Sequence, residues 1–234
     1  MQDNLGYGIF GSGFGRLLQD PRPVRLLHMK KILDKRLIEK AIRHLSSSDK
    51  ALSALIGKHG PCTITPALDN PFHALASSII SQQLSAHAAR AIKGRVFELI
   101  GTDRFTPEKI SKVSLHRLRT AGLSQAKIKY LRRLASAARN GEIDLSSLVN
   151  LEDEEIISRL TAFSGIGRWT AEMFLIFALG RPDVLSVNDA GLKRGIKIVY
   201  KLQETPSEDE ILSFGESWRP YRSVASWYLW RVVD

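Results

Sequence analysis

From residue 29 onward, apolar side chains return at helical intervals along almost the whole chain. Ile32, Leu33, Leu37, Ile38, Ala41, Ile42 and Leu45 recur at intervals of three, four and one, a pattern that lines one face of an α-helix and cannot line one face of a strand. Start and stop signals divide the rest into similar pieces. Asp49 is placed to cap a helix through Leu52, Leu55 and Ile56 that stops at Gly57 or Gly60. Further helices are expected over Phe72–Ile80, His87–Ile100, from Thr106-Pro107-Glu108, and from Ser124 to Asn140-Gly141. Asp153–Leu160, Trp169–Leu179, Ala190–Tyr200, Ser207–Phe214 and Tyr221–Val233 complete the set. Pro61 to Pro71 reads as a loop, and Cys62–Thr65 within it is the one short strand candidate. The fold class is therefore all-α with short connections. Residues 1–28 differ, with Gly6, Gly8, Gly11, Gly13 and Gly15 among aromatics and no sustained apolar run of a signal peptide. They read as a disordered tail or an over-extended start, with Met29 a plausible beginning.

Composition matters for the partner. Lys and Arg number 34 against 24 Asp and Glu, a formal net charge of +10, which favours a polyanion. Nucleic acid comes first and an anionic membrane surface a distant alternative. Cys62 is the only cysteine, which excludes an intramolecular disulfide, a Cys-rich zinc site and a four-cysteine iron–sulfur cluster, and suggests a reducing compartment. No apolar run approaches the roughly 20 residues of a membrane span.

One segment carries more. Leu160-Thr161-Ala162-Phe163-Ser164-Gly165-Ile166-Gly167-Arg168-Trp169-Thr170-Ala171 joins two amphipathic helices through a Gly-Ile-Gly turn. Glycines there leave backbone N–H groups uncovered, and the second helix presents the positive end of its dipole, a site suited to a phosphate. Such a grip positions a nucleic acid without reading it. Ile166 is suited to tuck between the two helices. Gly165, Ile166, Gly167, Arg168 and Thr170 are the backbone-contact candidates. Read alone, the pattern also suits an ordinary αα-hairpin. Lys127, Lys129, Arg132 and Arg133 cluster on one helix, either as phosphate contacts or as a solvated basic face.

Four separated blocks make the chain resemble a known family: Ile79-Ile80-Ser81-Gln82-Gln83-Leu84-Ser85; Ala121-Gly122-Leu123-Ser124 with Lys127; the hairpin with Asp189; and Trp218-Arg219-Pro220-Tyr221-Arg222-Ser223. It is similar over about Leu33–Val232 to the helix-hairpin-helix (HhH-GPD) DNA glycosylases, and within them to DNA-3-methyladenine glycosylase II. The resemblance implies two helical lobes with the active-site cleft between them: 29–77 plus 186–234 as the terminal lobe, 78–185 as the central lobe with the hairpin.

It implies Asp189, in Val187-Asn188-Asp189-Ala190-Gly191, as the catalytic carboxylate. Breaking an N-glycosidic bond builds positive charge on the sugar, and a fixed anion stabilises it. A helix N-cap role for Asp189 is the competing and compatible reading. Trp169 stands where strand-cleaving members carry a Schiff-base lysine, which implies a monofunctional enzyme leaving an abasic site. Trp169, Trp230 and Met173 are implied at the pocket for a flipped base, with core packing as the alternative for the tryptophans, and Trp227 and Tyr228 are read as facing elsewhere. Gln83 is implied as the wedge filling the vacated stack, supported by Leu84. The expected partner is double-stranded DNA with alkylated bases, with no membrane and no cofactor. A monovalent ion at the hairpin backbone carbonyls is the sole metal considered. A monomer in the cytoplasm, or the nucleus of a eukaryote, is expected. The main rival is a non-catalytic helix-hairpin-helix DNA-binding module; a glycosylase for oxidised or mismatched bases is the second.

Overall fold

The computed structural model describes residues 31–233, so the expectations for residues 1–28 lie outside the described residues. Twelve α-helices and one 3₁₀ turn make up the ordered elements, and no strand occurs among the described residues. They are α1 (Lys35–Ser48), α2 (Lys50–His59), α3 (Pro71–Ser81), α4 (Ala86–Ile100), α5 (Pro107–Lys112), α6 (Leu115–Thr120), α7 (Gln125–Arg139), α8 (Asp153–Thr161), α9 (Arg168–Phe177), α10 (Ala190–Val199), α11 (Glu208–Trp218) and α12 (Arg222–Trp230).

Local chemistry sets the boundaries. Asp34, Asp49, Asn70, Ser85, Thr106, Ser114, Ser124, Asp189 and Ser207 each cap a helix start with a side-chain oxygen, satisfying N–H groups that the helix leaves orphaned. The expected strand at Cys62–Thr65 is not formed. Cys62 and Ile64 are buried while Thr63 and Thr65 are exposed, so the alternation is real, but an extended segment becomes a strand only beside a partner. Two elements escaped the sequence reading: α6, which buries only Leu118, and the 3₁₀ turn Ser147–Asn150, which buries only Leu148. Each is too short to show a period.

Two groups of helices pack mainly within themselves. α2 lies on α1 and α12, α1 on α11 and α12, and α10 on α12; α3 lies on α4, α7 and α9, α7 on α5 and α6, and α8 on α9. A boundary at residues 77/78 falls inside α3, whose whole length joins the second group. One continuous apolar cluster runs through both groups. Asp49 ties three helices: Oδ1 accepts from the N–H groups of Ala51 and Leu52 at the start of α2, and Oδ2 accepts from Tyr200 Oη at 2.5 Å and Trp218 Nε1 at 3.1 Å.

The segment between α9 and α10 carries Asp189 and is pinned from several sides. Arg222 donates to Asp183 Oδ1 at 2.7 Å, and Ser223 Oγ donates to the Arg181 carbonyl and accepts from Val184 N–H. Ser186 Oγ donates to the buried carboxylate of Glu172 on α9. The block ending in Arg222-Ser223 thus holds the loop that presents Asp189.

Candidate active site

The hairpin is α8, its turn and α9. Gly165 has φ +90°, and a Cβ there would lie 2.0 Å from Tyr130 Cγ, so both backbone and space demand glycine. Ile166 is buried, as expected for the residue that locks the turn. Gly167 differs: φ is −90° and an added Cβ would meet nothing within 4 Å. It caps α9 without any side-chain hydrogen bond to the first turn. The amides at the positive end of the helix dipole are therefore left uncovered by a capping side chain, the property an anion site needs.

Two hairpin side chains are occupied within the protein. The Arg168 guanidinium donates to Glu154 Oε1 at 2.6 Å, Glu154 Oε2 at 3.1 Å and Glu172 Oε1 at 3.0 Å. Thr170 is almost fully buried, and its hydroxyl accepts from Gln82 Nε2 at 2.9 Å. That leaves the uncovered backbone amides as the groups this turn could offer an anion. The basic cluster on α7 is likewise largely committed. Lys127 Nζ donates to the carbonyls of Ile80 and Gln82, both at 2.7 Å; Arg132 donates to the carbonyls of Ser111 and Val113; Arg133 pairs with Glu142 at 2.7 Å. Lys129 remains exposed.

Asp189 caps α10, accepting from Leu192 N–H on Oδ1. The same oxygen accepts from Trp230 Nε1 at 2.8 Å, and Oδ2 accepts from Trp169 Nε1 at 2.6 Å. The side chain is mostly buried, with 8% of the residue exposed. Gly191 makes this convergence feasible, since a Cβ there would lie 3.1 Å from Asp189 Oδ1 and 3.2 Å from Trp230 Cδ1. Asp189 is thus the helix cap that the sequence suggested, and the cap aims the carboxylate at the two indoles.

These groups face a cleft of about 1380 Å³. It is lined by the hairpin turn, by Gln82, Gln83 and Leu84, and by Trp169, Met173 and Trp230. Phe177 and Trp227 line it too; neither was anticipated, and Trp227 corrects the expectation that it faces elsewhere. Tyr228 does face elsewhere, fully buried with its hydroxyl donating to the Gly60 carbonyl. The Phe177 and Trp230 rings sit 5.8 Å apart, and both tryptophans pack on the core while lining the cleft.

The electrostatics are lopsided. Among the described residues, Asp189 is the one acidic residue in the lining, against Arg90, Lys93, Lys127, Arg194 and Arg231. Burial, and then the charge of Arg90, pushes the Lys93 ammonium below its ordinary value, since each disfavours the charged form. At the rim, Gln83 is exposed and holds φ +55°, and Leu84 is exposed beside it.

Among the described residues no group of three or more His, Cys, Asp or Glu could hold a metal ion. In the hairpin turn the Phe163 carbonyl accepts from Ile166 N–H and the Gly165 carbonyl from Gln82 Nε2. Among the described residues none donates a hydrogen bond to the Ser164 or Ile166 carbonyl, and carbonyl oxygens are ligands suited to a hard cation.

Comparison with known proteins agrees with this geometry. The profile of the HhH-GPD superfamily base excision DNA repair proteins matches residues 76–220. The alkylbase DNA glycosidase-like protein mag2 of Schizosaccharomyces pombe is 34% identical over 83% of this chain and 93% of its own length. DNA-3-methyladenine glycosylase 1 of the same organism is 36% identical over 83% of this chain and 87% of its own. The solved structure of the S. pombe 3-methyladenine DNA glycosylase in complex with abasic DNA superposes with a TM-score of 0.75 at 35% identity, covering 82% of this chain and 95% of that one. The chain belongs to the HhH-GPD superfamily of base excision DNA repair proteins, in its DNA-3-methyladenine glycosylase family.

Proposed function

We propose that this cleft takes up a flipped, alkylated base from double-stranded DNA and that Asp189 drives hydrolysis of its N-glycosidic bond, leaving an abasic site. The observation that carries this is the position of Asp189: held by two cleft-lining indoles, it is the one carboxylate among the described lining residues, against five cations. The division into lobes belongs to the same reading, with α1, α2 and α10–α12 as the terminal lobe, α3–α9 as the central lobe and the cleft between them.

The chemistry follows from the charges. A purine alkylated on its ring carries positive charge and departs readily with the electron pair of the glycosidic bond. The sugar is left cationic, and a fixed anion beside it lowers the barrier. Asp189 has about four lone-pair sites, three of them taken by Leu192 N–H and the two indoles. The remaining one, on Oδ2, is free to face the anomeric carbon or to align the water that attacks it. The aromatic walls offer π faces to the cationic base. Trp169 has no amine and forms no imine with the sugar, so the strand is left uncut. The hairpin amides hold the backbone; an ion on the Ser164 and Ile166 carbonyls would add positive charge there. Gln83, with Leu84 behind it, fills the space the flipped base leaves. No helix among the described residues is long and apolar enough to cross a membrane. The protein acts as a monomer in this reading, since one chain supplies every group named.

The test is base release from duplexes carrying 3-methyladenine, 7-methylguanine, hypoxanthine or ethenoadenine, with Asp189→Asn alongside. The unaltered protein is expected to release free base. The variant keeps a good N-cap, binds duplex and releases little. Undiminished release by Asp189→Asn would remove the carboxylate from the mechanism, and duplex binding without release by the unaltered protein would mark a non-catalytic module.

A further inference from the structure

The loop between α3 and α4 is fastened at its root by two side chains whose nitrogen atoms donate within the protein. Lys127 Nζ donates to the Ile80 carbonyl, in the last turn of α3, and to the Gln82 carbonyl just beyond it. One ammonium thus closes two acceptors at a helix end where carbonyls are orphaned and the dipole is negative. Gln82 Nε2 donates to the Gly165 carbonyl at 2.8 Å and to Thr170 Oγ1 at 2.9 Å, spending both amide hydrogens on the hairpin. Gln83 follows directly, exposed and with φ +55°. That left-handed backbone is unfavourable for a residue with a Cβ and persists only where neighbours over-determine it.

α7 anchors both ends of this arrangement. Lys127 and Tyr130 are one turn apart on the same helix face. Lys127 holds the root of the loop, while the Tyr130 ring fills the space beside Gly165. The distance between hairpin and loop tip is set by one rigid helix on one side and by the Gln82 side chain on the other.

We propose that Gln82 and Lys127 are positioning residues that hold the Gln83 tip at a fixed offset from the hairpin, so that gripping the DNA backbone also places the wedge. The proposal rests on the enzymatic reading above, which assigns Gln83 to the vacated stack. A tip anchored only by its chain ends would make the same contacts with intact duplex and fail at insertion, because the hairpin amides would be unaltered. Misplacement by about 1 Å costs on the order of a hundredfold in rate for groups that must meet a reacting geometry.

The experiment uses the full chain and two substitutions that remove donors while keeping bulk, Gln82→Leu and Lys127→Met, with Lys127→Arg as the conservative partner. The readouts are melting temperature, affinity for undamaged duplex, single-turnover base release, and fluorescence of a 2-aminopurine placed beside a hydrolysis-resistant 7-methylguanine nucleotide. Gln82→Leu, which removes no charge, should keep duplex affinity within about twofold, and both it and Lys127→Met should lose most of the fluorescence rise and release base about tenfold or more slowly. Lys127→Arg still presents donors to both carbonyls and should recover most of both signals. Should either variant fail to fold, Gln82→Glu provides the same test, since its carboxylate donates to neither Gly165 nor Thr170. A folded Gln82 variant with the full fluorescence rise and full rate overturns the proposal, as does loss that tracks melting temperature alone. If the unaltered protein gives the rise but releases no base, the enzymatic reading falls while the positioning role stands.

Discussion

Trp169 Nε1 donates to Asp189 Oδ2 at 2.6 Å, so a side chain expected to offer a π face also offers a proton donor to the carboxylate. Trp230 does the same to the other oxygen. Phenylalanine at either position keeps an aromatic face and removes the N–H. A hydrogen bond to a charged group contributes about 1.5–3 kcal/mol, so Trp169→Phe and Trp230→Phe should each slow single-turnover base release by about tenfold or more while leaving affinity for undamaged duplex nearly unchanged. Trp169→Ala, which also loses the ring, should be slower still. Phenylalanine variants as fast as the unaltered protein would reduce both indoles to stacking surfaces.

Glu172 gives a pH signature. Burial pushes its carboxyl above the ordinary 4.5, and the Ser186 hydroxyl and Arg168 offset this only in part. An acid whose pKa is raised by folding binds its proton more tightly in the folded state. Its stabilising contribution is full below the ordinary value and is lost as pH climbs through the raised one. Glu172→Gln removes that dependence. In urea melts, the stability of Glu172→Gln relative to the unaltered protein should improve over the window that opens at the ordinary 4.5 and extends upward in pH. A constant difference across that window would mean that Arg168 and Ser186 compensate the buried charge fully.

The helices were legible because their caps are local: Asp49, Ser124 and Asp189 sit where capping chemistry needs them and accept the bonds expected of them. The site was legible as a set of positions, and Asp189, Trp169, Trp230, Met173 and Gln83 do meet at one cleft. What could not be read was which polar atom satisfies which. Lys127, Arg132 and Arg133 read in the sequence either as phosphate contacts or as a solvated basic face, yet each meets an acceptor brought near by tertiary packing. The Ser186–Glu172 contact and the Gln82 bracket join residues far apart in the chain, and a periodicity reading carries no information about them. A signal did exist for Gln82: two glutamines between Ile80 and Leu84 are out of place in an apolar helix.

The two hairpin glycines should separate fold from function. Gly165→Ala forces a Cβ into the Tyr130 ring and onto a backbone with φ +90°. Strain of both kinds destabilises, and a cost of about 2–4 kcal/mol is expected in denaturant unfolding. Gly167→Ala meets no steric obstacle, so stability should change by less than about 1 kcal/mol. Gly167 lines the cleft, so its added methyl group would enter space that the proposed backbone grip leaves to the DNA. Duplex affinity should fall while the melting temperature holds. Equal destabilisation by both substitutions would deny the distinction drawn from their dihedral angles.

Gln83 holds the left-handed backbone of the wedge loop with φ +55°, which costs a residue with a Cβ about 1–2 kcal/mol. Glycine adopts the same backbone freely, and its greater freedom in the unfolded chain returns only about 0.5–1 kcal/mol of that gain. Gln83→Gly should therefore leave the protein as stable as before or more so, by up to about 1 kcal/mol. The same substitution removes the side chain proposed to enter the vacated stack, so base release should slow by at least about tenfold, since unstacking a base costs a few kcal/mol that the wedge would no longer offset. Stability and activity then move in opposite directions at one position. Thermal melts and single-turnover assays on the same preparation test this directly: a variant that melts lower would remove the strain, and one that releases base at the full rate would remove the wedge.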